Sequence, residues 1–287
     1  MDYPAIGTRE LLYIYIIRYH HYSGNRLLQS SFQEFYEKSE NINTVLYPYM
    51  IAPCLERLNM EKERYVQNHS VLPFYRLFLK KDNFENICYK MFYENKPYTN
   101  YLRSQHKQNA KVKSDRIYYC PKCLDEHNGY AGIQTFHQIP GVHVCPKHFC
   151  YLNSIAVESY RKLLYWEKWD RTVVECEPDS VLVQMAKDVS YIMEHTPDMD
   201  NAVFREYLFD EALHSGIFRL GRWDEEEDAK WKTFYKKLPK EYEVYRLGLS
   251  FQRFSSQKLI GGINPIEYLL FIRCHFGSFE AFINQLS

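Results

Sequence analysis

The sequence lacks an excess of charge of either sign, and it lacks a long hydrophobic run. Its 36 Lys and Arg residues balance its 36 Asp and Glu residues, so the chain is not a basic polyanion binder overall. The residues after Met1 offer neither the basic segment nor the apolar segment of a signal peptide, and the longest apolar run, 11–17, is too short to cross a bilayer. We therefore expect a cytoplasmic protein without membrane contact, in which any nucleic-acid contact comes from a local patch.

Common catalytic signatures are also missing. No Gly is followed by Lys, which excludes a Walker A phosphate loop, and neither H-E-x-x-H nor G-x-S-x-G occurs. None of the 11 His residues begins the H-x-E motif of the zinc nucleobase deaminases. We predict that the protein is not an enzyme.

What the sequence does contain is a paired cysteine and histidine motif. Cys120 and Cys123 form a C-P-K-C knuckle, and Cys145 and His148 form a C-P-K-H knuckle after 21 intervening residues. A two-residue spacing lets both ligands reach one ion, and two such knuckles complete the tetrahedron that zinc prefers. Because four protein ligands leave no position for water, we predict one structural zinc ion in a reducing compartment. The Lys in each knuckle is expected to offset thiolate charge.

Several neighbouring residues compete as ligands. His143 stands two residues before Cys145, where an extended chain would direct both side chains to the same side, and His127 and Cys150 are also close. His148 is preferred because it completes the matched knuckle. His137 is interpreted as a hydrogen-bonding residue behind the ligands or as a satisfied core histidine.

Hydrophobic periodicity predicts a mainly α fold, with helical bundle domains and a small zinc-ribbon-like Cys3His module inserted. Thr8 is expected to cap the first helix, and the acidic run 224–228 suits a helix N-terminus. The expected division is 1–116, 117–155 and 156–287, the last part containing a helix-turn-helix-like unit. The predicted helices cover 8–23, 27–38, 47–59, 84–93, 180–194, 203–215, 229–237 and 265–274.

Two basic regions are candidates for contact with DNA phosphates. The first precedes the zinc module, and the second follows the helix predicted at 203–215, where an ordinary solvated α-hairpin is the alternative interpretation. A solvated connector is the alternative interpretation of the first region. In the second region, the acidic run 224–228 argues against DNA contact by the loop that contains it. The candidate residues are Arg103, Lys107, Lys111, Lys113, Arg219, Arg222 and Lys230.

The zinc module also carries a family resemblance. CPKCLDEHNGYAGIQTFHQIPGVHVCPKH resembles the module of TniQ/TnsD proteins, with its C-P-x-C-L, H-Q-(L/I)-P-G-V and C-P-x-H-G motifs, and Phe149 departs from it where Gly is usual. ELLYIYIIRYHHYSGN near the N-terminus is similar to the same family. HSVLPFYRLFL and NPIEYLLFIRCHFGS resemble the TnsD branch more closely.

This resemblance implies a target-selection adaptor for DNA transposition in the bacterial cytoplasm, at the nucleoid when bound. Such proteins bind target DNA, or a CRISPR effector already on DNA, and recruit the AAA+ regulator TnsC. One alternative is a module that bridges TnsC to a separate CRISPR effector complex without reading DNA. The other alternative is a zinc-dependent nuclease or hydrolase.

Overall fold

The computed structural model describes residues 3–36, 48–94, 116–157, 160–195, 201–219, 222–245 and 265–285. Helices dominate these residues, which confirms the mainly α prediction. None of the described helices combines the length and the apolar character needed to span a membrane. The helices are α1 Leu12–Ser23, α2 Leu28–Phe35, α3 Ala52–Arg57, α4 Lys62–His69, α5 Leu72–Arg76, α6 Lys81–Tyr93, α7 Pro121–Glu126, α8 Tyr160–Leu163, α9 Val181–His195, α10 Asn201–His214, α11 Glu225–Lys236, α12 Pro265–Phe276 and α13 Phe279–Ile283.

The strands are short and form two small antiparallel pairs. β1 (Arg116–Tyr119) pairs with β2 (Asn153–Ala156), so the two ends of the cysteine-rich module lie side by side. β3 (Phe218–Arg219) pairs with β4 (Arg222–Trp223) and joins α10 to α11. That connection is longer than the three- or four-residue turn of a helix-turn-helix motif.

The first helix begins later than the sequence predicted. α1 starts at Leu12 without a side-chain cap, so the expected capping by Thr8 is wrong. The backbone of Glu10 instead turns back to Gly7 and forms an isolated antiparallel bridge with Gln134, so tertiary pairing displaces the helix start. The predicted end is confirmed, because Gly24 adopts the left-handed conformation at φ 72° that glycine tolerates best.

The acidic run 224–228 does begin a helix. Asp224 caps α11 by accepting a hydrogen bond from the Glu226 backbone N–H at 3.1 Å, and the four acidic residues that follow lie in the first turn. Negative side chains are favourable there because the exposed N–H groups carry partial positive charge. This prediction is confirmed.

The hydrophobic core runs through all three predicted parts of the chain. Buried residues from Leu11 to Phe282 belong to one connected cluster. The ring of Phe78, just after α5, packs edge-on against Phe204 of α10 at 5.9 Å and stacks on Tyr268 of α12 at 5.8 Å. The amino-terminal and carboxy-terminal helices therefore share apolar contacts, whereas the boundaries at 116/117 and 155/156 stay predictions.

A buried ion pair holds the segment that precedes α1. The Glu10 side chain is fully buried and accepts hydrogen bonds from Arg18 Nε at 2.9 Å and from Arg18 Nη2 at 2.8 Å. It also accepts the Gly7 backbone N–H at 2.7 Å. Three donors on one carboxylate offset the cost of removing it from water.

Candidate metal centre

The first knuckle is built by the start of a short helix. Cys120 is the N-cap of α7, and its sulfur accepts the Cys123 backbone N–H at 3.4 Å. Pro121 occupies the first helical position, where its missing N–H would have no helical partner and its fixed φ suits the turn. One helical turn then brings Cys123 to the same side as Cys120.

The second knuckle is a tight reversal in which Phe149 is strained. The Phe149 backbone N–H donates to the Cys145 carbonyl at 3.0 Å, and the Cys145 N–H donates to the Cys150 carbonyl at 2.8 Å. Phe149 adopts a left-handed conformation at φ 51°, which costs a residue with Cβ about 1–2 kcal/mol. Lys187 Nζ lies 4.8 Å from the centre of its ring, so the side chain that replaces the usual glycine also contacts α9.

The two knuckles converge on one point. Among the described residues, Cys120, Cys123, Cys145 and His148 form a group able to hold one metal ion. His148 Nδ1 lies 3.4, 3.3 and 3.6 Å from the sulfurs of Cys120, Cys123 and Cys145 respectively, and the sulfurs of Cys123 and Cys145 are 3.7 Å apart. A tetrahedral zinc ion with ordinary bond lengths requires about 3.8 Å between two sulfurs and about 3.5 Å between sulfur and nitrogen. The donor set therefore fits zinc in size.

The site is closed to solvent on its cysteine side. The three cysteines are 0–3% exposed, and the His148 side chain is 12% exposed. A buried set of four protein donors is typical of a structural ion, since a catalytic zinc keeps a position for water.

The rival histidines lie elsewhere. His127 is exposed at the end of α7, and the ring of His143 packs against Tyr242 at 5.7 Å. His137 is completely buried beside Phe136, and neither of its ring nitrogens has a hydrogen-bond partner among the described residues. The expectation that His137 forms hydrogen bonds is therefore wrong. Burial lowers its pKa to about 4, so the ring is neutral near pH 7.

A family model matches this module together with the helices that precede it in the chain. The TniQ family model matches residues 3–152, just over half of the chain and ending four residues after His148. The chain belongs to the TniQ family. No curated protein matched the chain. TniQ proteins form a family of non-catalytic transposition adaptors, so the chain has a transposition-related function.

In this TniQ module, Glu126 pairs with the candidate ligand His148, a contact that the sequence analysis did not predict. Glu126 Oε1 lies 3.0 Å from His148 Nε2, and Oε2 accepts from Lys147 Nζ at 2.6 Å. The Nε2–H that donates to Glu126 leaves the Nδ1 lone pair facing the three sulfurs, which is the tautomer a ligand requires. The ammonium of Lys147, and then His148, lower the pKa of this carboxyl group.

The knuckle lysines do not act alone on the thiolates. Lys147 pairs with Glu126, and Lys122 Nζ donates to Glu175 Oε1 at 2.7 Å. Each ammonium is thus shared between a carboxylate and the nearby cysteines, and the offsetting of thiolate charge by these lysines stays a prediction.

We predict that Glu126→Gln weakens metal binding about 10-fold and Glu126→Ala up to about 100-fold, because partners behind a ligand commonly contribute this much. Competition with a chromogenic chelator measures the affinity. Glu175→Gln is the matched control, since its carboxylate pairs with the other knuckle lysine and it should leave affinity unchanged. Equal affinities for Glu126→Ala and the wild type would contradict the role of Glu126.

The TniQ motif H-Q-I-P-G-V connects the module to the rest of the fold. Gln138 donates to the Tyr118 carbonyl at 2.7 Å and accepts the Tyr118 N–H at 3.0 Å, which clamps β1. The Gly141 carbonyl accepts from the Tyr242 hydroxyl at 3.0 Å, and a Cβ at Gly141 would lie 2.7 Å from the side chain of Ile266 in α12. The motif is thus a junction between the module and the carboxy-terminal helices.

A second glycine sets how closely the module packs. A Cβ on Gly132 would lie 2.3 Å from the carbonyl oxygen of Cys123 and 2.8 Å from the Cα of Leu124. Those are backbone atoms of the first knuckle, which cannot rotate away. We predict that Gly132→Ala destabilises the protein by at least about 2 kcal/mol, in the range of severe overpacking, and weakens metal binding. Urea unfolding and chelator competition measure both effects, and unchanged values in both would show that the knuckle can shift freely.

Only some of the candidate DNA-contacting residues lie in the part of the chain that the structure describes, whereas all four candidate metal ligands do. Arg103, Lys107, Lys111 and Lys113 lie outside the described residues. Arg219 and Arg222 are direct cross-strand partners in the β3–β4 hairpin. Lys230 is exposed on α11, where its Nζ lies 3.5 Å from Glu227 Oε2.

Proposed function

We propose that this protein is a target-selection adaptor for transposition, which binds target DNA and recruits an AAA+ regulator of the TnsC type. The proposal rests on one observation. Four side chains that could hold a metal ion lie together, away from solvent, in the last part of the segment that matches the TniQ family. A closed site stabilises a scaffold and leaves no position for a reacting water, which favours an adaptor over a zinc-dependent nuclease or hydrolase.

We further propose that the ion is zinc, held by Cys120, Cys123, Cys145 and His148. Three thiolates and one imidazole at tetrahedral separations suit zinc better than magnesium or calcium, which prefer oxygen donors. When bound, the ion would join α7 to the Cys145 reversal across 21 residues of chain. Its role would be to fix the module against α1 and the carboxy-terminal helices.

The proposed DNA contacts are local basic groups on a chain without net charge. Arg103, Lys107, Lys111 and Lys113 directly precede β1 in sequence, so this segment leads straight into the metal module. Arg219 and Arg222 form a second candidate group, because their backbones are register partners in β3 and β4 before α11. Contacts of this kind bind phosphates with a strong dependence on salt. We also propose that the chain belongs to the TnsD branch of the family, whose members would bind one fixed attachment site by its sequence.

The test combines the purified chain, a TnsC-type ATPase and duplex DNA. We expect the chain to bind duplex with an affinity that falls as salt rises, and to increase ATPase binding to that duplex. Binding of the ATPase without measurable DNA binding would instead support a protein-interaction module that bridges to a separate effector complex. The balanced charge of the chain favours this second candidate. Absence of both interactions would contradict the proposal.

We predict that Arg219→Ala keeps the fold and weakens duplex binding. The slope of the logarithm of the binding constant against the logarithm of the salt concentration (the salt slope) should decrease in magnitude by about 1, as expected for one lost phosphate contact. Fluorescence anisotropy over a salt series measures both quantities. Lys81→Ala, which removes an exposed cation from α6, is the control and should leave the slope unchanged. Wild-type affinity and slope in Arg219→Ala would exclude the hairpin as a DNA contact.

A further inference from the structure

The metal centre contains a fifth donor that the tetrahedron does not use. The sulfur of Cys150 lies 3.5 Å from the sulfur of Cys120, and Cys150 is completely buried. Cys150 is nevertheless not part of the group of four side chains whose donor atoms all lie within 4.8 Å of one another. A thiol in this position contacts one ligand rather than the centre of the site.

The backbone fixes Cys150 behind Cys120. Its carbonyl accepts the Cys145 N–H at 2.8 Å, and Cys150 is the antiparallel bridge partner of Glu175. The Cys176 N–H donates to the Phe149 carbonyl at 2.7 Å on the other side of the same bridge. With both neighbouring segments paired, the backbone of Cys150 is held in place beside the second knuckle.

The net charge of the metal centre explains why a hydrogen-bond donor beside Cys120 would be favourable. Three thiolates around one divalent ion leave a net charge of −1 in a buried place, which is costly unless it is hydrogen-bonded. Lys122 and Lys147 already pair with Glu175 and Glu126. Hydrogen bonds to the sulfurs must therefore carry much of the stabilisation, and Cys120 already accepts one from the Cys123 N–H.

We propose that the Cys150 side chain hydrogen-bonds to the sulfur of Cys120 and acts as a positioning residue of the metal centre. This inference rests on the proposed ion. The second donor on Cys120 disperses its charge and holds its sulfur toward the ion, as partners behind metal ligands do elsewhere.

The test measures cobalt and zinc binding to the wild type and to Cys150→Ala and Cys150→Ser in the full chain. We expect Cys150→Ala to bind zinc about 10- to 100-fold more weakly, as for loss of other partners behind a ligand. Cys150→Ser should lie between it and the wild type, because a hydroxyl still donates. In all three proteins the thiolate-to-cobalt absorption should keep the same intensity, since the three ligating cysteines are unchanged. Cys176→Ala is the control, because Cys176 contacts Ser180 and should not affect zinc affinity.

The possible failures are distinguishable. Equal zinc affinity in Cys150→Ala and the wild type would overturn the inference and leave the metal centre standing. A weaker thiolate-to-cobalt band in Cys150→Ala would also overturn it, because Cys150 would then be a ligand. If the wild type bound neither metal, the proposed centre would fall, and the role of Cys150 with it.

Discussion

Cys120→Ser and Cys145→Ser should each lose the bound metal and unfold the segment from β1 to β2. Metal binding and folding are coupled in such modules, with apparent binding free energies of about 10–16 kcal/mol for structural zinc in small peptides near pH 7. Between β1 and β2 the described residues contain short helical segments and isolated bridges, so few backbone contacts could hold the knuckles without an ion. Metal content and limited proteolysis measure the two effects.

Cys88→Ser provides the matched control for these variants. Cys88 is a partly buried thiol on α6, outside the metal module, and its replacement should retain the metal and the wild-type proteolysis pattern. A Cys120→Ser protein that kept one tightly bound ion and resisted protease like the wild type would show that Cys120 is not a ligand.

Glu10→Ala should destabilise the protein by about 3–5 kcal/mol, the usual effect of removing one partner of a buried ion pair. Arg18 would lose both of its bonds to the carboxylate, and the Gly7 N–H would lose its acceptor. The effect should extend to the metal module, because the Glu10 backbone bridges to Gln134 and its carbonyl lies 3.0 Å from His69 Nδ1. Urea unfolding monitored by circular dichroism gives the free energy.

Glu85→Ala is the control for Glu10→Ala. Glu85 forms an exposed ion pair with Lys81 on α6 at 4.0 Å, and such pairs contribute about 0–1 kcal/mol. A loss for Glu10→Ala as small as that for Glu85→Ala would mean that the buried pair contributes little to the amino-terminal half.

The longer helices were predictable, because apolar periodicity reports which face must be buried, whereas the short helices α4, α5, α7, α8 and α13 were not predicted. The predicted helix at 265–274 corresponds to α12, and the helix predicted at 180–194 corresponds to α9 within one residue at each end. The helix predicted at 47–59 shrinks to α3, which begins with a proline in its first turn and is followed by Asn59 in a left-handed conformation. The 3-10 segments Tyr130–Gly132 and Thr135–Gln138 carry no periodic signal and could not have been predicted this way.

The two ligands within each knuckle could be predicted because knuckle spacing is a local property of the chain, and the matched C-P-K motifs indicated that the two knuckles share one site. The residues around them depend on tertiary contacts, so spacing alone could not identify them. Glu126 meets His148 only because α7 folds back beside the second knuckle. His137 is buried, and neither ring nitrogen finds a hydrogen-bond partner in the part of the chain that the structure describes, although buried histidines usually have one. Phe149 takes a left-handed conformation because the Cys145–Cys150 reversal requires it.

The most direct test of this account is zinc K-edge X-ray absorption on the purified wild-type chain of 287 residues. We predict one zinc per chain, with three sulfurs at about 2.3 Å and one nitrogen at about 2.0–2.1 Å bound to it. A shell of four sulfurs, a shell containing water oxygen, or a protein purified without metal would contradict it.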